Sequence, residues 1–461
     1  MVAIGELRGG KVGILGFARS GEALARVLRK TGAGVLVFDD GEAARARARS
    51  AGFAIGGVED VPSLDLLVPS PGVPLRFPQP HPLVAAARAA GVPVTGDIQL
   101  FADSRKDLRL VGVTGSNGKS TTAALLHHLL LGCGVPALLG GNIGMPVFAL
   151  DAPEGATVVL ELSSFQLDLC DRLRTAVGVW LNLSPDHLDR HGSLEGYIAA
   201  KRRLFDQQPA DAAQVVAVDD AISRAVADGL EAAGRRPVRA SGAVAEGVDV
   251  GIEAGTLVDR LDGTPRRFAL EGRLRLRGAH NLQNVAAAFA AARLLGCGPE
   301  ALLAALAGFA GLPHRMEEVA RIDGVIFVND SKATNPDAAA RSLASFEAIH
   351  WIAGGRPKPG GFASLLDATR AVRAGYFIGE AEEELARTFT GRFPVHRCGT
   401  LAAALERAFA AARRESAGSV VLLAPACASF DQFRDFEDRG DRFRELVRSL
   451  ARDGHAPEFA P

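Results

Sequence analysis

Lysine is the scarce residue of this chain: of 52 basic side chains in 461 residues, 45 are arginine and 7 are lysine. Four of the seven, Lys119, Lys201, Lys332 and Lys358, stand in or beside stretches with the composition of phosphate, metal or carboxylate sites. A guanidinium stays planar and charged, whereas a compact ammonium sits among phosphates as a point charge and a primary amine can lose its proton and react. Lysine kept at those four places marks chemistry that arginine cannot serve. Chance retention suits only Lys11, Lys30 and Lys106, which lie in polar surroundings at predicted element ends.

Net charge is missing as well. With 52 basic against 53 acidic residues the chain carries -1, which removes any global electrostatic reason to bind nucleic acid or an anionic membrane and makes phosphate recognition a local matter. The five cysteines (Cys133, Cys170, Cys297, Cys398, Cys427) are scattered and lack C-x-x-C spacing, so neither a disulfide framework nor a zinc site is suggested, as suits a reducing compartment. No apolar run is long enough to span a bilayer, and Met1 to Gly10 lacks a signal-peptide core. The expectation is a soluble cytoplasmic protein, acting as a monomer. An apolar content of 48% fills several cores, and at about 100–200 residues per domain the length predicts three domains.

Short β-branched runs alternate with alanine-rich amphipathic stretches, the pattern of parallel sheets covered by helices. Val12 to Leu15, the turn Gly16-Phe17-Ala18-Arg19-Ser20-Gly21, a helix from Glu22 to Lys30 and Val35 to Phe38, ending in Asp39, form one predicted βαβ nucleotide-binding unit. Its fingerprint is incomplete, because Ala18 stands where a second glycine lets backbone approach a pyrophosphate. The segment Val68-Pro-Ser70-Pro-Gly72-Val73 is a second loop after a strand, and the polar stretch Asp103 to Asp107 closes this part of the chain.

A strand over Leu110–Thr114 then runs into Gly115, Ser116, Asn117, Gly118, Lys119, Ser120 and Thr121 and a helix from Ala123 to Leu131. Strand, glycine loop and helix N-terminus together cradle phosphates with backbone N–H groups. The strict G-x-x-x-x-G-K-[ST] pattern fails at Val113, yet its core survives: Lys119 is expected at the β- and γ-phosphates of a nucleotide, with the Ser120 or Thr121 hydroxyl toward Mg²⁺. Glu161 ends the next apolar strand, where a hard oxygen ligand for Mg²⁺ belongs. His187 follows a further strand, Val177–Asn182, and is a candidate metal or substrate ligand. Lys201 lies on a helix over Tyr197–Phe205; taken alone it is a solvated helix lysine.

Taken together, Gly115 to Thr121, Glu161, the segment Asp186 to Ser193 and Lys201 resemble the ATP-dependent Mur ligases of peptidoglycan synthesis. The resemblance runs through most of the chain. It implies an α/β protein of three domains: an N-terminal Rossmann-like domain (1–107), a central P-loop-type ATPase with a parallel sheet (108–312) and a C-terminal Rossmann-like domain (313–461). It implies that Lys201 is carbamylated and joins His187, Glu161 and Ser120 around two Mg²⁺ sites. It also implies that Asn281, Asn284, Arg315 and Asp330 lie at ATP and Lys332 at the reacting phosphate.

The branch of the family most resembled adds D-glutamate to UDP-N-acetylmuramoyl-L-alanine. That branch implies UDP-sugar contacts from Gly16, Phe17, Ala18, Arg19, Ser20, Asp39, Ser70, Gly72 and Asn142. It implies D-glutamate contacts from Thr334, Lys358, Ser429, Phe430 and Phe436. Cationic and hydroxyl groups suit both acid ends of a dicarboxylate amino acid, although Phe430, Phe433 and Phe436 also have helical spacing that suits a core. Folylpolyglutamate synthase-like enzymes are disfavoured by the hundred or so residues before the phosphate loop, and members adding a diamino acid by the lack of an Asp-Asn-Pro-Arg stretch. A P-loop nucleotide-hydrolysing switch leaves His187, Lys201 and the third-domain motifs without a role.

Overall fold

The computed structural model describes residues 3–244, 246–274, 276, 278–358, 360–415, 418–452 and 457–459. By packing, the chain divides into two compact units, Met1–Arg273 with Leu282–Gly308, and Leu274–Asn281 with Phe309–Pro461. Among the described residues no helix is long and apolar enough to cross a membrane.

The first unit holds two sheets. The smaller contains β1 (Lys11–Leu15), β2 (Gly34–Phe38), β3 (Ala54–Ile55) and β4 (Leu66–Pro69) in the order β3-β2-β1-β4, all parallel. The predicted βαβ unit is present: the helix Arg19–Thr31 links β1 to β2, which pair from Lys11↔Gly34 to Leu15↔Phe38. Leu24, Ala25 and Leu28 of that helix pack onto Val12 and Ile14 of β1 in one apolar cluster. That burial sets the glycine turn at the carboxyl end of β1.

The larger sheet contains β5 (Arg109–Thr114), β6 (Ala137–Gly141), β7 (Thr157–Glu161), β8 (Val177–Trp180), β9 (Ala213–Ala217), β10 (Val238–Ser241), β11 (Val250–Glu253), β12 (Thr256–Asp259) and β13 (Arg266–Ala269). Its order is β13-β12-β11-β10-β9-β8-β5-β7-β6, parallel except that β12 pairs antiparallel with both β11 and β13. β5 lies between β7 and β8. The three loops that leave these neighbouring strands therefore emerge side by side at one edge, where open parallel sheets bind ligands.

The second unit is built on one sheet of β14 (Glu317–Ile322), β15 (Val325–Asn329), β16 (Ile349–Gly354), β17 (Val372–Ile378), β18 (Val395–Gly399), β19 (Val420–Leu423) and β20 (Pro457–Phe459), ordered β18-β17-β16-β19-β15-β14-β20. β14 pairs antiparallel with both β15 and β20, and the remaining pairings are parallel. Because β19 is flanked by β16 and β15, the loops after these three strands are neighbours too.

Trp351 of β16 fixes that edge from below. Its ring is fully buried, meets Phe377 and Phe389 edge-on at centroid distances of 5.5 and 5.3 Å, and its Nε1 donates to Ala424 O at 2.8 Å, just past β19. Trp351→Ala is expected to destabilise by about 3–5 kcal/mol, read from the midpoint of urea unfolding. A loss below about 1 kcal/mol would contradict the packing described.

Candidate active site

The helix after β5 begins at Lys119, earlier than the predicted Ala123, and Gly118 caps it in the left-handed conformation with φ 81°. A side chain on Gly118 would collide with Asn284 Oδ1. Only glycine brings the loop this close to the helix Ala279–Leu294. The same Asn284 Oδ1 accepts from Thr122 Oγ1 at 3.2 Å. The N–H groups of Lys119, Ser120 and Thr121 precede the first intrahelical bond, from Thr122 N to Gly118 O, so the positive end of the helix faces the loop. Ser120 and Thr121 are buried at that start.

Asn182 shapes the other side of the loop. Its backbone O accepts from Ser116 N at 2.8 Å and its Oδ1 from Asn117 N at 2.9 Å, while its Nδ2 donates to Asn117 O and to Gln283 Oε1. Ser116 Oγ donates to Ser184 O and lies 3.1 Å from Tyr197 OH.

Two lysines meet at one oxygen of this loop. Lys119 Nζ donates to Gly115 O at 2.9 Å and to Ser116 O at 2.8 Å, and Lys201 Nζ donates to the same Gly115 O at 2.8 Å. Lys201 is 1% exposed, on the helix Leu194–Asp206, with its nitrogen 4.7 Å from the Tyr197 ring centroid. Burial, and then the Lys119 charge, hold its amine well below the ordinary lysine range against the opposing pull of Asp186 and Glu161. The solvated-lysine reading is overturned: the ammonium is desolvated and repelled, which shifts the group toward its neutral amine.

Glu161, at the end of β7, is 2% exposed; its Oε1 accepts from Asn142 Nδ2 at 2.8 Å and its Oε2 is buried without a partner. A buried, unpaired carboxylate oxygen is costly and suits a cation. His187 has a left-handed backbone (φ 52°) at the start of the short helix Leu188–His191; its Nε2 is 3.4 Å from Asp186 Oδ2 and its ring 4.9 Å from that of Phe165. Burial holds its imidazole below the ordinary value, so it is neutral and able to ligate at neutral pH. Among the described residues no three His, Cys, Asp or Glu side chains converge as a metal cage. The buried, partnerless Glu161 oxygen is the kind of hard ligand Mg²⁺ takes, since that ion needs one or two carboxylates and completes its shell with water and phosphate oxygens.

In the first turn of the smaller sheet, Asp39 accepts from Phe17 N at 2.7 Å and from Gly41 N at 2.8 Å, so its carboxylate organises the loop after β1. Phe17 turns its ring into the core against Phe53, leaving its backbone at the turn, and Ala18 caps the helix Arg19–Thr31. Ser70 Oγ donates to Gly16 O at 3.3 Å, and a side chain on Gly16 would run into Ser70. A cavity of about 470 Å³ brings Arg19, Ser20 and Gly72 together with Asn142, Lys119 and His187. Gly16, Phe17, Ala18, Asp39 and Ser70 do not line it.

In the second unit Asp330 follows β15, is buried, and accepts from Met316 N at 3.1 Å and from Ser342 Oγ. Burial pushes its carboxyl up, while Ser342, Met316 and the Arg315 charge pull it back. Lys332 Nζ lies 3.6 Å over the Phe436 ring, and Thr334 N donates to Lys332 O. Lys358 is exposed after β16, Ser429 is buried after β19, and Arg356 pairs with Ala428 in an antiparallel bridge between the two loops. Phe430 is 63% exposed, so the core reading fails for it. Residues 430–435 form a turn, and the helix begins only at Phe436; of the three phenylalanines, Phe433 packs against the core. Asn281 belongs to this unit and Asn284 to the first.

Three further groups were not singled out from the sequence. Asn182 was readable as a polar end of a buried strand. His191, whose Nε2 lies 3.0 Å from Ser164 Oγ, and the wholly buried Arg439 were not.

The Mur ligase middle-domain family model matches residues 113–292, and the Mur ligase glutamate ligase domain matches residues 314–427. The UDP-N-acetylmuramoylalanine–D-glutamate ligase of Rhodospirillum rubrum is 46% identical over 98% of this chain and 97% of its own length. That of Phenylobacterium zucineum is 45% identical over 99% of each. Among solved structures, UDP-N-acetylmuramate–alanine ligase from Thermotoga maritima superposes with a TM-score of 0.59 at 20% identity, covering 96% of this chain and 100% of its own. MurF from Acinetobacter baumannii gives 0.60 at 19% identity, covering 91% of each. With near-complete coverage at such identity, and with the phosphate loop, Glu161 and Lys201 assembled as described, the chain belongs to the Mur ligase family.

Proposed function

We propose that this chain is an ATP-dependent ligase that joins D-glutamate to UDP-N-acetylmuramoyl-L-alanine in peptidoglycan precursor synthesis, releasing ADP and phosphate. The observation that carries the reading is the pair of lysines on Gly115 O beside the unpaired Glu161 oxygen. Such a site attracts anions at one point and a cation at another. The choice of D-glutamate rests on the relatives' substrates and on Thr334, Lys358 and Ser429.

In this reading residues 1–107 bind the UDP-sugar, 108–312 bind ATP and 313–461 bind the amino acid. Arg19, Ser20, Gly72 and Asn142 face the UDP-sugar, with Gly16, Phe17, Ala18, Asp39 and Ser70 shaping the loops behind them. Gly115 to Thr121 and Asn284 take the nucleotide phosphates, and the family resemblance gives Asn281, Arg315 and Asp330 as further ATP contacts. Glu161 and Ser120 hold one Mg²⁺, and His187 with a Lys201 carbamate hold a second; when bound, the metal neutralises charge on phosphate oxygens. Carbamylation converts Lys201 from a potential cation repelled by Lys119 into an anion attracted to it. ATP and a charged UDP-sugar do not cross bilayers unaided, and the inferred location is the cytoplasm.

Lys119 draws the γ-phosphate into place as a point charge. An oxygen of the muramoyl-alanine carboxylate attacks the γ-phosphorus in line; the new O–P bond forms as the bond to the ADP oxygen breaks. The D-glutamate nitrogen then attacks the acyl carbon, and the tetrahedral centre collapses with loss of phosphate. Lys332, at the carboxyl edge of the second sheet, stabilises the charge that develops there. Backbone amides near Phe430 and Phe436 complete the acceptor pocket.

Phosphate release from ATP is expected to require both UDP-N-acetylmuramoyl-L-alanine and D-glutamate, with L-glutamate and L-lysine inactive. Lys201→Ala is expected to lower that rate by about 100-fold or more. Release indifferent to the acceptor contradicts the ligase reading and favours a nucleotide-hydrolysing switch.

The carbamate has its own test. Because burial depresses the Lys201 amine, the neutral nucleophile survives to lower pH than on ordinary lysines, and acid removes it by protonation. With carbon-13 bicarbonate, a carbamate resonance is expected at neutral pH, fading as the pH falls and missing in Lys201→Ala. A resonance unchanged by that substitution contradicts the assignment.

A further inference from the structure

Arg439, on the helix Phe436–Arg452, is 0% exposed, and among the described residues no carboxylate hydrogen-bonds it. Its Nε donates to Ser331 Oγ at 3.0 Å; its Nη2 donates to Ser331 O at 2.9 Å and Cys427 O at 3.1 Å; its Nη1 reaches Gly354 O at 3.3 Å and Ala428 O at 3.5 Å. Burial pushes the guanidinium down to about 10, against the opposing pull of Cys427 and Asp431. A buried cation with neutral partners costs stability that an apolar side chain of similar volume would not. Its persistence calls for a use.

The partners supply one. Ser331 precedes Lys332 and Thr334 after β15; Gly354 ends β16, where the loop to Lys358 begins; Cys427 and Ala428 precede Ser429 after β19. Ser331 Oγ, which accepts from Arg439, donates in turn to Phe436 O at 2.8 Å. Arg356 N donates to Ala428 O at 2.9 Å and Ala428 N to Arg356 O at 3.0 Å, so the second and third loops are already laced together above the guanidinium. Gly355 has φ 128°, and a side chain there would strike Ala428 O and press on Arg439 Nη1. One planar group thus touches all three loops, and the start of the helix, on which the amino-acid contacts are carried.

We propose that Arg439 is the positioning residue of the acceptor site, fixing Thr334, Lys358, Ser429 and Phe436 in one arrangement for a dicarboxylate amino acid. The inference rests on the acceptor assignment given above for its ligand, and on the loops alone for its geometry. Lysine cannot substitute, because an ammonium offers three donors from one point and cannot span three loops.

The test compares Arg439→Met and Arg439→Lys with the wild-type chain. For Arg439→Met, the KM of D-glutamate is expected to rise about 10–100-fold, with the KM of UDP-N-acetylmuramoyl-L-alanine within about twofold; Arg439→Lys falls between. If the wild-type chain takes a different amino acid, the acceptor assignment fails and the same comparison is run with that amino acid. Hydrogen exchange gives a readout independent of any substrate: Arg439→Met is expected to speed exchange in residues 331–335, 354–358 and 426–429 together, leaving β15, β16 and β19 protected. An unchanged acceptor KM, both KM values rising in parallel, or exchange that is unaltered in the loops or spreads equally to the strands, overturns the proposal.

Discussion

Two amines share one carbonyl oxygen in the phosphate loop of this protein. Lys119 and Lys201 both donate to Gly115 O, and two full charges so close in a dry environment repel by several kcal/mol even at a moderate effective dielectric. Burial lowers that cost by shifting Lys201 toward its neutral form, and in the proposed function arriving anions would relieve it further. A triphosphate at the loop and a carbamate on Lys201, as proposed above, would both do so. The loop's remaining features follow from keeping that oxygen in place: Gly118 admits Asn284, Asn182 ties Ser116 and Asn117, and β7 delivers Glu161 alongside.

The second unit solves a similar problem by the opposite device. There a charge is kept rather than neutralised, and Arg439 spends its donors on backbone and hydroxyl oxygens. Both solutions place a costly buried group under loops at the carboxyl edge of a parallel sheet. Strand order is what makes this possible, since β5 between β7 and β8, and β19 between β16 and β15, bring loops distant in sequence into contact. Trp351 and its aromatic neighbours supply the rigid floor below.

The sequence was most informative where local chemistry needs a local pattern. The phosphate loop was legible because glycines, lysine and hydroxyls must be consecutive, and Glu161 because a carboxylate ending an apolar strand is conspicuous. Lys201 was ordinary by helix position; the scarcity of lysine and the family resemblance marked it, and its burial supplied the physical reason. Arg439 was hidden by its abundance, as one of 45 arginines, since its role depends on burial and on partners 85 and 108 residues away. Phe430, Phe433 and Phe436 misled because their spacing mimics a helix across residues that form a turn. Asn281 and Asn284, three residues apart, fall in different packing units, a division that no periodicity in their shared helix announces.

The most direct measurement is the fate of the substrate's carboxylate oxygen. UDP-N-acetylmuramoyl-L-alanine labelled with oxygen-18 in its free carboxylate would be turned over with ATP and D-glutamate, and the released phosphate analysed by mass spectrometry. Attack of that carboxylate on the γ-phosphorus transfers a single labelled oxygen to phosphate as the amide forms, which is the predicted result. Unlabelled phosphate would mean that water, not the carboxylate, attacks ATP, and would contradict the acyl-phosphate chemistry assigned to this site.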